Sequence, residues 1–277
     1  MFKEIAIDPA AVSTSYRDFS YIIEKFGIHE GRLIAAFPSK WKALVYAAAQ
    51  QRLRGTLELS RLEIRLNSLG ESVFYARGRS GEGCKTNWLA AAIAEHQRLP
   101  FDAIIASEPA GPPVVVAEEL DGQHVCLLPN RQWSIQREAG VMGLLCAPLL
   151  ASAKHIKLID PYFDPGQPRF QRPFREFLKY VRAGAKIDIF RGDDQGEQYI
   201  SQRIEQAAQG LLADGVKVRL FLRPQGEMHN RFVLTELGGV YFQTGLDDRD
   251  GGIRRTDDAG LLDPDIWAER WGQYTAE

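Results

Sequence analysis

The chain lacks several features that would assign it to a class at once. Its 277 residues include only three cysteines, whose odd number and wide spacing predict neither a disulfide framework nor a zinc site. It has no apolar run of about 18 residues, and its N-terminus has no apolar signal core. The formal net charge of −2 does not indicate a nucleic-acid or membrane partner. We therefore expect a cytoplasmic protein that does not bind a membrane.

The composition is that of an ordinary globular protein. A hydrophobic content of 45% is enough for a sizeable core, and the length fits two modest domains. We place the first domain at residues 1–125, as a mixed α+β domain of unassigned function, and the second at residues 126–277. Apolar spacing in the first domain predicts helices at 16–26, 41–53 and 87–98 and strands at 72–76, 101–107 and 114–117.

Strands and helices alternate in the second domain. Short apolar runs predict strands at 156–160, 186–190 and 216–222, and apolar residues at helical spacing predict helices between them. Strand–helix–strand alternation favours a parallel sheet with right-handed crossovers. The predicted fold class is therefore α/β, with a mainly parallel sheet flanked by helices in this half of the chain.

One short stretch near the end of the chain carries the strongest chemical signal. It reads H-x-R-x-x-x-x-E, with His229, Arg231 and Glu236, on a predicted strand that runs into a glycine turn. Alternating side chains on a strand place His229 and Arg231 on one face. An imidazole can attack phosphorus or transfer a proton, and a guanidinium can hold two phosphoryl oxygens in a fixed fork.

This spacing resembles the H-x-K-x-x-x-x-D motif of the phospholipase D-like superfamily, with Arg231 in the usual place of lysine and Glu236 in that of aspartate. The order of strands and helices from about Trp133 onward is also similar to one half of such a fold. In that superfamily two motifs meet, one histidine forms a phosphohistidine, the other protonates the leaving group, and no metal or other cofactor is needed. The resemblance implies a phosphodiester substrate.

A single motif implies that a second copy is supplied by a homodimer or by a partner protein. Catalysis is assigned to His229 and Arg231, with Thr244 and Asp247 as supporting residues after the next strand. A carboxylate that orients His229 is expected among Asp247, Asp248 and Asp257. Glu236 is assigned a supporting role, although strand parity points it away from His229 and favours a structural role at the hairpin.

Two further candidates lie near the predicted strand at 156–160. Asp160 stands at its carboxyl end, where ligands gather in parallel sheets, so it is either a site residue or a simple strand terminator. The string His155-Ile156-Lys157 is a second H-x-K, but it begins at the amino end of the strand. We expect it to be unrelated to the site.

The predicted helix near residue 175 carries a basic stripe. Segment 169–231 has 12 Lys and Arg against 8 Asp and Glu, whereas 232–277 has 4 against 10. The stripe is either a solvated helix face or a track for a nucleic-acid backbone. Its members, assigned as nucleic-acid-binding residues, are Arg172, Arg175, Lys179 and Arg182.

The sequence therefore favours a metal-independent phosphodiesterase, specifically a nuclease acting on nucleic acid. The alternative is a catalytically inert phospholipase D-like module that binds nucleic acid or a partner protein. A loop at 78–86 resembles a phosphate-binding loop, but Cys84 interrupts the required Gly-Lys-Thr order. We expect that loop to be a flexible basic segment.

Overall fold

The computed structural model describes residues 1–121, 123–248 and 256–275. The chain forms two compact units, Phe2–Asn130 and Arg131–Glu277. Over the described residues, no helix has the length and apolar composition needed to cross a membrane.

The N-terminal unit is built on a five-stranded sheet in which every pairing is parallel. The strands run in the order β3-β2-β1-β4-β5. They are β1 (Lys3–Ile7), β2 (Arg32–Ala35), β3 (Phe74–Tyr75), β4 (Ala103–Ala106) and β5 (Val114–Val116). The helices of this unit are α1 (Tyr16–Ile23), α2 (Trp41–Leu53), α3 (Leu57–Ser68) and α4 (Trp88–Arg98).

Both faces of this sheet are covered. Ile5 and Ile7 of β1 pack into one apolar cluster with residues of α1, α2 and α3, whereas Ala6 packs into a second cluster with Trp88 and Ala92 of α4. Strands buried on both faces read as short apolar runs without polar alternation, which is why β1, β2 and β4 carry IAI, LIA and AIIA. The unit is therefore a doubly wound α/β structure rather than the mixed α+β domain expected.

The C-terminal unit contains a seven-stranded mixed sheet, in the order β6-β12-β11-β10-β7-β8-β9. Its strands are β6 (Gln132–Gln136), β7 (His155–Ile159), β8 (Lys186–Gly192), β9 (Lys217–Arg223), β10 (Phe232–Thr235), β11 (Gly238–Phe242) and β12 (Thr256–Leu261). Its helices are α5 (Ala139–Ser152), α6 (Pro168–Leu178), α7 (Glu197–Ala208) and α8 (Pro264–Gln273).

The α/β class is confirmed, but the strand directions are distributed differently from the expectation. In the C-terminal unit β7, β8 and β9 are parallel, because α6 and α7 form crossovers between them. The pairings of β10 with β7, β10 with β11, β11 with β12 and β12 with β6 are antiparallel. A two-residue turn between β10 and β11 forces that pair to be antiparallel. The wholly parallel sheet is that of the N-terminal unit.

Candidate functional site

Strand register brings three separate segments together at one end of the strands of the C-terminal sheet, where β7 ends and β10 begins. Phe232, at the start of β10, pairs with Ile159 at the end of β7 and with Tyr241 near the end of β11. The residues just before β10 therefore lie beside those just after β7 and just after β11. Arg231, Asp160 and Thr244 occupy these three places.

His229 and Arg231 lie just before β10, which begins at Phe232, and so lie outside the strand on which the sequence placed them. Met228, Phe232 and Leu234 all pack into one apolar cluster that includes Tyr274, and Asn230 forms a side-chain hydrogen bond with the Tyr274 hydroxyl. The placement of His229 and Arg231 on one face remains a prediction. His229 is exposed, and Arg231 is half-buried and donates from Nη1 to the His229 carbonyl at 3.1 Å.

Arg231 lines a cavity of about 400 Å³, which we call the threonine cavity. Its other lining residues are Gln243, Thr244, Thr256, Asp257 and Asp258. Thr244 donates from Oγ1 to Oδ1 of the buried Asp257 at 2.7 Å, and its backbone N–H donates to the same carboxylate at 3.1 Å. Of the three carboxylates expected to orient the histidine, Asp257 is the one that lines this cavity with Arg231 and Thr244.

Arg231 and Thr244 also line a second cavity of about 140 Å³, the arginine cavity. It is further lined by Arg137, Asp160, Tyr162, Arg169, Phe170 and Asp247. Arg137, from the end of β6, is 2% exposed and donates from Nη2 to both the carboxylate and the carbonyl of Asp247. Its Nε and Nη1 are buried and have no acceptor in the structure as described. Nothing in its sequence context marked Arg137, because only the pairing of β6 with β12 brings it here.

Asp160 has the structural role considered for it at the end of β7. Its carboxylate is 1% exposed and accepts from the backbone N–H groups of Tyr162 and Leu246, each at 2.8 Å, so it fixes two turns. It also lines the arginine cavity. Burial raises the pKa of Asp160 and neighbouring Asp247 adds to this rise, whereas the two N–H groups and the charge of Arg231 act to lower it.

The two carboxylates approach each other closely at Gly245. A β-carbon at position 245 would lie 2.6 Å from Oδ1 of Asp247 and 3.3 Å from Oδ2 of Asp160. Glycine is therefore needed where the backbone passes between them. Asp247 supports the site through Arg137, and Arg169 lies 3.7 Å from its other oxygen.

Glu236 is not brought to the site. It lies in the turn between β10 and β11, at the far end of β10 from Arg231, where it accepts from the backbone N–H groups of Lys154 at 2.6 Å and His155 at 3.0 Å. Five residues of extended chain, at about 3.3 Å per residue, place it roughly 16 Å from Arg231. The structural role at the hairpin is confirmed, and the supporting role in the site is corrected.

The four basic residues assigned to a nucleic-acid track each contact a group within the same unit. Arg172 forms a bidentate pair with Asp248, at 2.7 and 2.6 Å, and Lys179 pairs with Glu176 at 2.5 Å. Arg175 and Arg182 donate to the carbonyl groups of Ala207 and Ser152. Their role in binding nucleic acid remains a prediction.

Residues 1–121, 123–248 and 256–275 contain no group of three or more His, Cys, Asp or Glu side chains arranged to hold a metal ion. No protein-family model matches the chain, and no curated protein is significantly similar to it. The crystal structure of polyphosphate kinase from Porphyromonas gingivalis aligns with 60% of this chain and 29% of its own, at 12% identity and a TM-score of 0.34. A likeness of this extent carries no functional argument.

Proposed function

We propose that the C-terminal unit binds a phosphoryl group beside Arg231 and acts as a metal-independent phosphodiesterase of the phospholipase D-like type, a nuclease, with His229 as nucleophile or proton donor. One observation carries the proposal. Arg137 and Arg231 line one cavity, two guanidinium nitrogens of Arg137 have no acceptor in the described structure, and Arg231 donates to the backbone carbonyl of the exposed His229.

An anionic ligand fits this arrangement on energetic grounds. A buried donor without an acceptor costs roughly 1–3 kcal/mol, and phosphoryl oxygens would accept from Arg137 and from Arg231 together. Asp247 holds Arg137 in place through a hydrogen-bonded ion pair, and the charge of Arg231 acts on Asp160. Thr244 and Asp257 line the other side of Arg231, within reach of the same ligand.

The resemblance noted above supplies the chemical steps. A ring nitrogen of His229 attacks phosphorus, a P–N bond forms, and the P–O bond to the leaving alkoxide breaks. A second imidazolium donates a proton to that alkoxide. Water then attacks phosphorus while the second imidazole, now neutral, takes its proton, and the P–N bond breaks, which returns the first imidazole. Each chain carries one such histidine, so the proposal requires a homodimer or a partner that supplies the other.

The first experiment measures cleavage of an oligonucleotide and of a simple aryl phosphodiester in excess chelator. The proposal expects full activity, because no step uses a metal ion. Activity that is lost in chelator and restored by a divalent ion would refute this mechanism.

The second experiment mixes the parent protein with its His229→Ala variant under conditions that allow subunit exchange. If each site in a symmetric dimer takes one histidine from each copy, an equal mixture should show about one quarter of the parent activity. An activity of about one half would mean that each chain works alone. Gln202→Ala, an exposed position on α7, is the matched control and should leave the mixture fully active.

A second candidate function is a catalytically inert module that binds nucleic acid or a partner protein. The pairing of Arg137 with Asp247 favours it, because that guanidinium is already partly neutralised. Salt-dependent binding of an oligonucleotide without turnover, lost in Arg231→Ala, would select this function.

A further inference from the structure

A cavity of about 670 Å³ in the N-terminal unit lies at the carboxyl ends of β1 and β4. The chain builds outward from β1 to β2 and β3, and then returns to the other side of β1 to form β4. The point where the strand order reverses is where open α/β sheets bind ligands, because the loops on the two sides separate there. The volume falls within the range of roughly 300–1,000 Å³ typical of small-molecule sites.

One side of this cavity is built to receive an anion. Lys85, Thr86 and Asn87 line it, together with the first residues of α4. Asn87 caps that helix by accepting from the N–H of Ala90 at 2.9 Å. The positive end of an 11-residue helix and an exposed ammonium group therefore face the same space.

The interrupted glycine loop explains how Lys85 reaches this position. Cys84, the residue that breaks the expected Gly-Lys-Thr order, is buried in the apolar cluster with Phe37 and Trp88. Burial raises the pKa of Cys84 to about 11, so the thiol is neutral and acts as an anchor. The loop is therefore fixed at its core side, and the next residue, Lys85, lines the cavity.

A second observation independently points to a ligand. Trp88 lines the cavity and is 8% exposed, and its indole Nε1 is buried without an acceptor in the described part of the chain. Buried indole N–H groups usually find a partner. An acceptor atom on a bound molecule would supply that partner.

The rest of the lining includes two carboxylates, the guanidinium of Arg52 and apolar side chains. Asp8, just after β1, and Glu108, after β4, contribute carboxylates, and Leu44, Ala48 and Leu89 contribute an apolar wall. Asp8 already accepts from the N–H of Ala10 at 2.9 Å and keeps further acceptor capacity. Carboxylates in this position suit sugar hydroxyl groups, which donate hydrogen bonds.

We propose that the N-terminal unit binds a nucleoside phosphate in this cavity. The phosphoryl group contacts Lys85 and the first turn of α4, the ribose hydroxyls donate to Asp8, and the base packs against Leu44 and Leu89. This site belongs to a different unit from the proposed phosphodiesterase site and does not depend on it.

The test is calorimetric titration of the full chain with ADP and with GDP. It uses the Arg231→Ala variant, so that the C-terminal phosphoryl site does not contribute. We expect saturable binding of at least one nucleotide. Lys85→Ala should weaken it by about 10-fold or more, the loss expected for a charge-assisted contact. Arg65→Ala, at an exposed position on α3, is the matched control and should change nothing.

A second set of titrations separates the two ends of the ligand. Asp8→Asn should weaken binding of ADP and adenosine but not of inorganic pyrophosphate, whereas Lys85→Ala should weaken ADP and pyrophosphate. Absence of saturable binding by either nucleotide at millimolar concentration would overturn the proposal, as would equal affinities in the parent and Lys85→Ala. Circular dichroism of each variant checks that it is folded.

Discussion

The C-terminal unit contains two short strings in which a histidine is followed two residues later by a cation. They lie at opposite ends of a pair of adjacent antiparallel strands. His155-Ile156-Lys157 opens β7, and His229-Asn230-Arg231 precedes β10, which runs antiparallel to β7. Both have the same spacing, but His155 to Lys157 lie on a strand whereas His229 to Arg231 lie just before one. Their surroundings differ completely.

We call the string at the amino end of β7 the closed string, because its side chains bond to neighbouring residues of the same unit. His155 lies 2.7 Å from the buried carboxylate of Asp188, which also accepts two hydrogen bonds from Arg219. Lys157 donates to the carbonyl groups of Trp271 and Tyr274 and lies 3.8 Å from the Trp271 ring centroid. These contacts lie within the unit, which favours a structural role for the string.

We call the string before β10 the open string, because the side chains of its histidine and its cation face solvent or a cavity. His229 is exposed, and Arg231 borders two cavities. The comparison shows that the same short motif can be taken up by structural contacts or left accessible, depending on the end of the sheet at which it lies. At the amino end of β7 the chain returns directly into packed structure, whereas three loops converge at its carboxyl end and leave space for a ligand.

The largest difference between the two strings should appear in activity. His229→Ala is expected to lower phosphodiester cleavage by about 10³-fold or more, because an imidazole that forms or breaks bonds is lost. Its free energy of unfolding should stay within about 0.5 kcal/mol of the parent, since the side chain is exposed. Paired assays of initial rate and denaturant unfolding measure both. Unchanged activity would place the active site elsewhere.

The closed string should show the reverse pattern, a loss of stability with activity retained. Asp188→Asn is expected to lower the free energy of unfolding by about 2 kcal/mol, because the interactions of His155 and Arg219 with a buried carboxylate are weakened. Denaturant unfolding gives the magnitude, and Asp214→Asn, away from this cluster, is the control. A variant as stable as the parent would show that the cluster contributes nothing.

The same cluster carries a pH dependence of known sign. Burial acts to raise the pKa of Asp188, but hydrogen bonds from Arg219 and His155 outweigh it, and the pKa lies below the ordinary 3.8. The stabilisation is therefore present above pH 3.8 and is lost as the pH falls through the lowered value. The stability difference between parent and Asp188→Asn should shrink in acid.

A smaller effect of opposite sign is expected at the open end. The pKa of Asp160 lies above 3.8, chiefly because of burial. Its contribution to stability is therefore fully present below pH 3.8 and is lost as the pH rises through the raised value. Unfolding of the parent and of Asp160→Asn from pH 3.5 to 7 should show the parent losing stability relative to the variant. A gain with rising pH would contradict the assignment.

Much of the secondary structure could be predicted from the sequence. The strands expected at 156–160, 186–190 and 216–222 correspond to β7, β8 and β9, and the helix at 41–53 has the bounds of α2. Apolar periodicity is a local signal, so it can be recognised without knowledge of the fold. β1 and β2 were not predicted, because apolar runs of three residues beside charged ones do not distinguish strand from helix.

β12 shows a different reason for failure. Its sequence, TDDAGL, has two aspartates and a glycine and little preference for a strand. Tertiary contacts compensate for each unfavourable residue. Asp257 is satisfied by Thr244, and Gly260 lies under the Tyr241 ring, where a β-carbon would be 2.6 Å from the ring. Such tertiary contacts cannot be predicted from the local sequence.

The sequence by itself determined the α/β class and the structural role of Glu236, since each follows from the pattern of residues along short stretches of chain. The tertiary structure alone decided that Arg137, Asp160 and Asp257 converge on Arg231, and that Lys85 and Asp8 share a cavity. These residues are far apart in the chain, and their proximity depends on strand order and register. Order and register are set by packing of the whole sheet, which no short stretch of sequence contains.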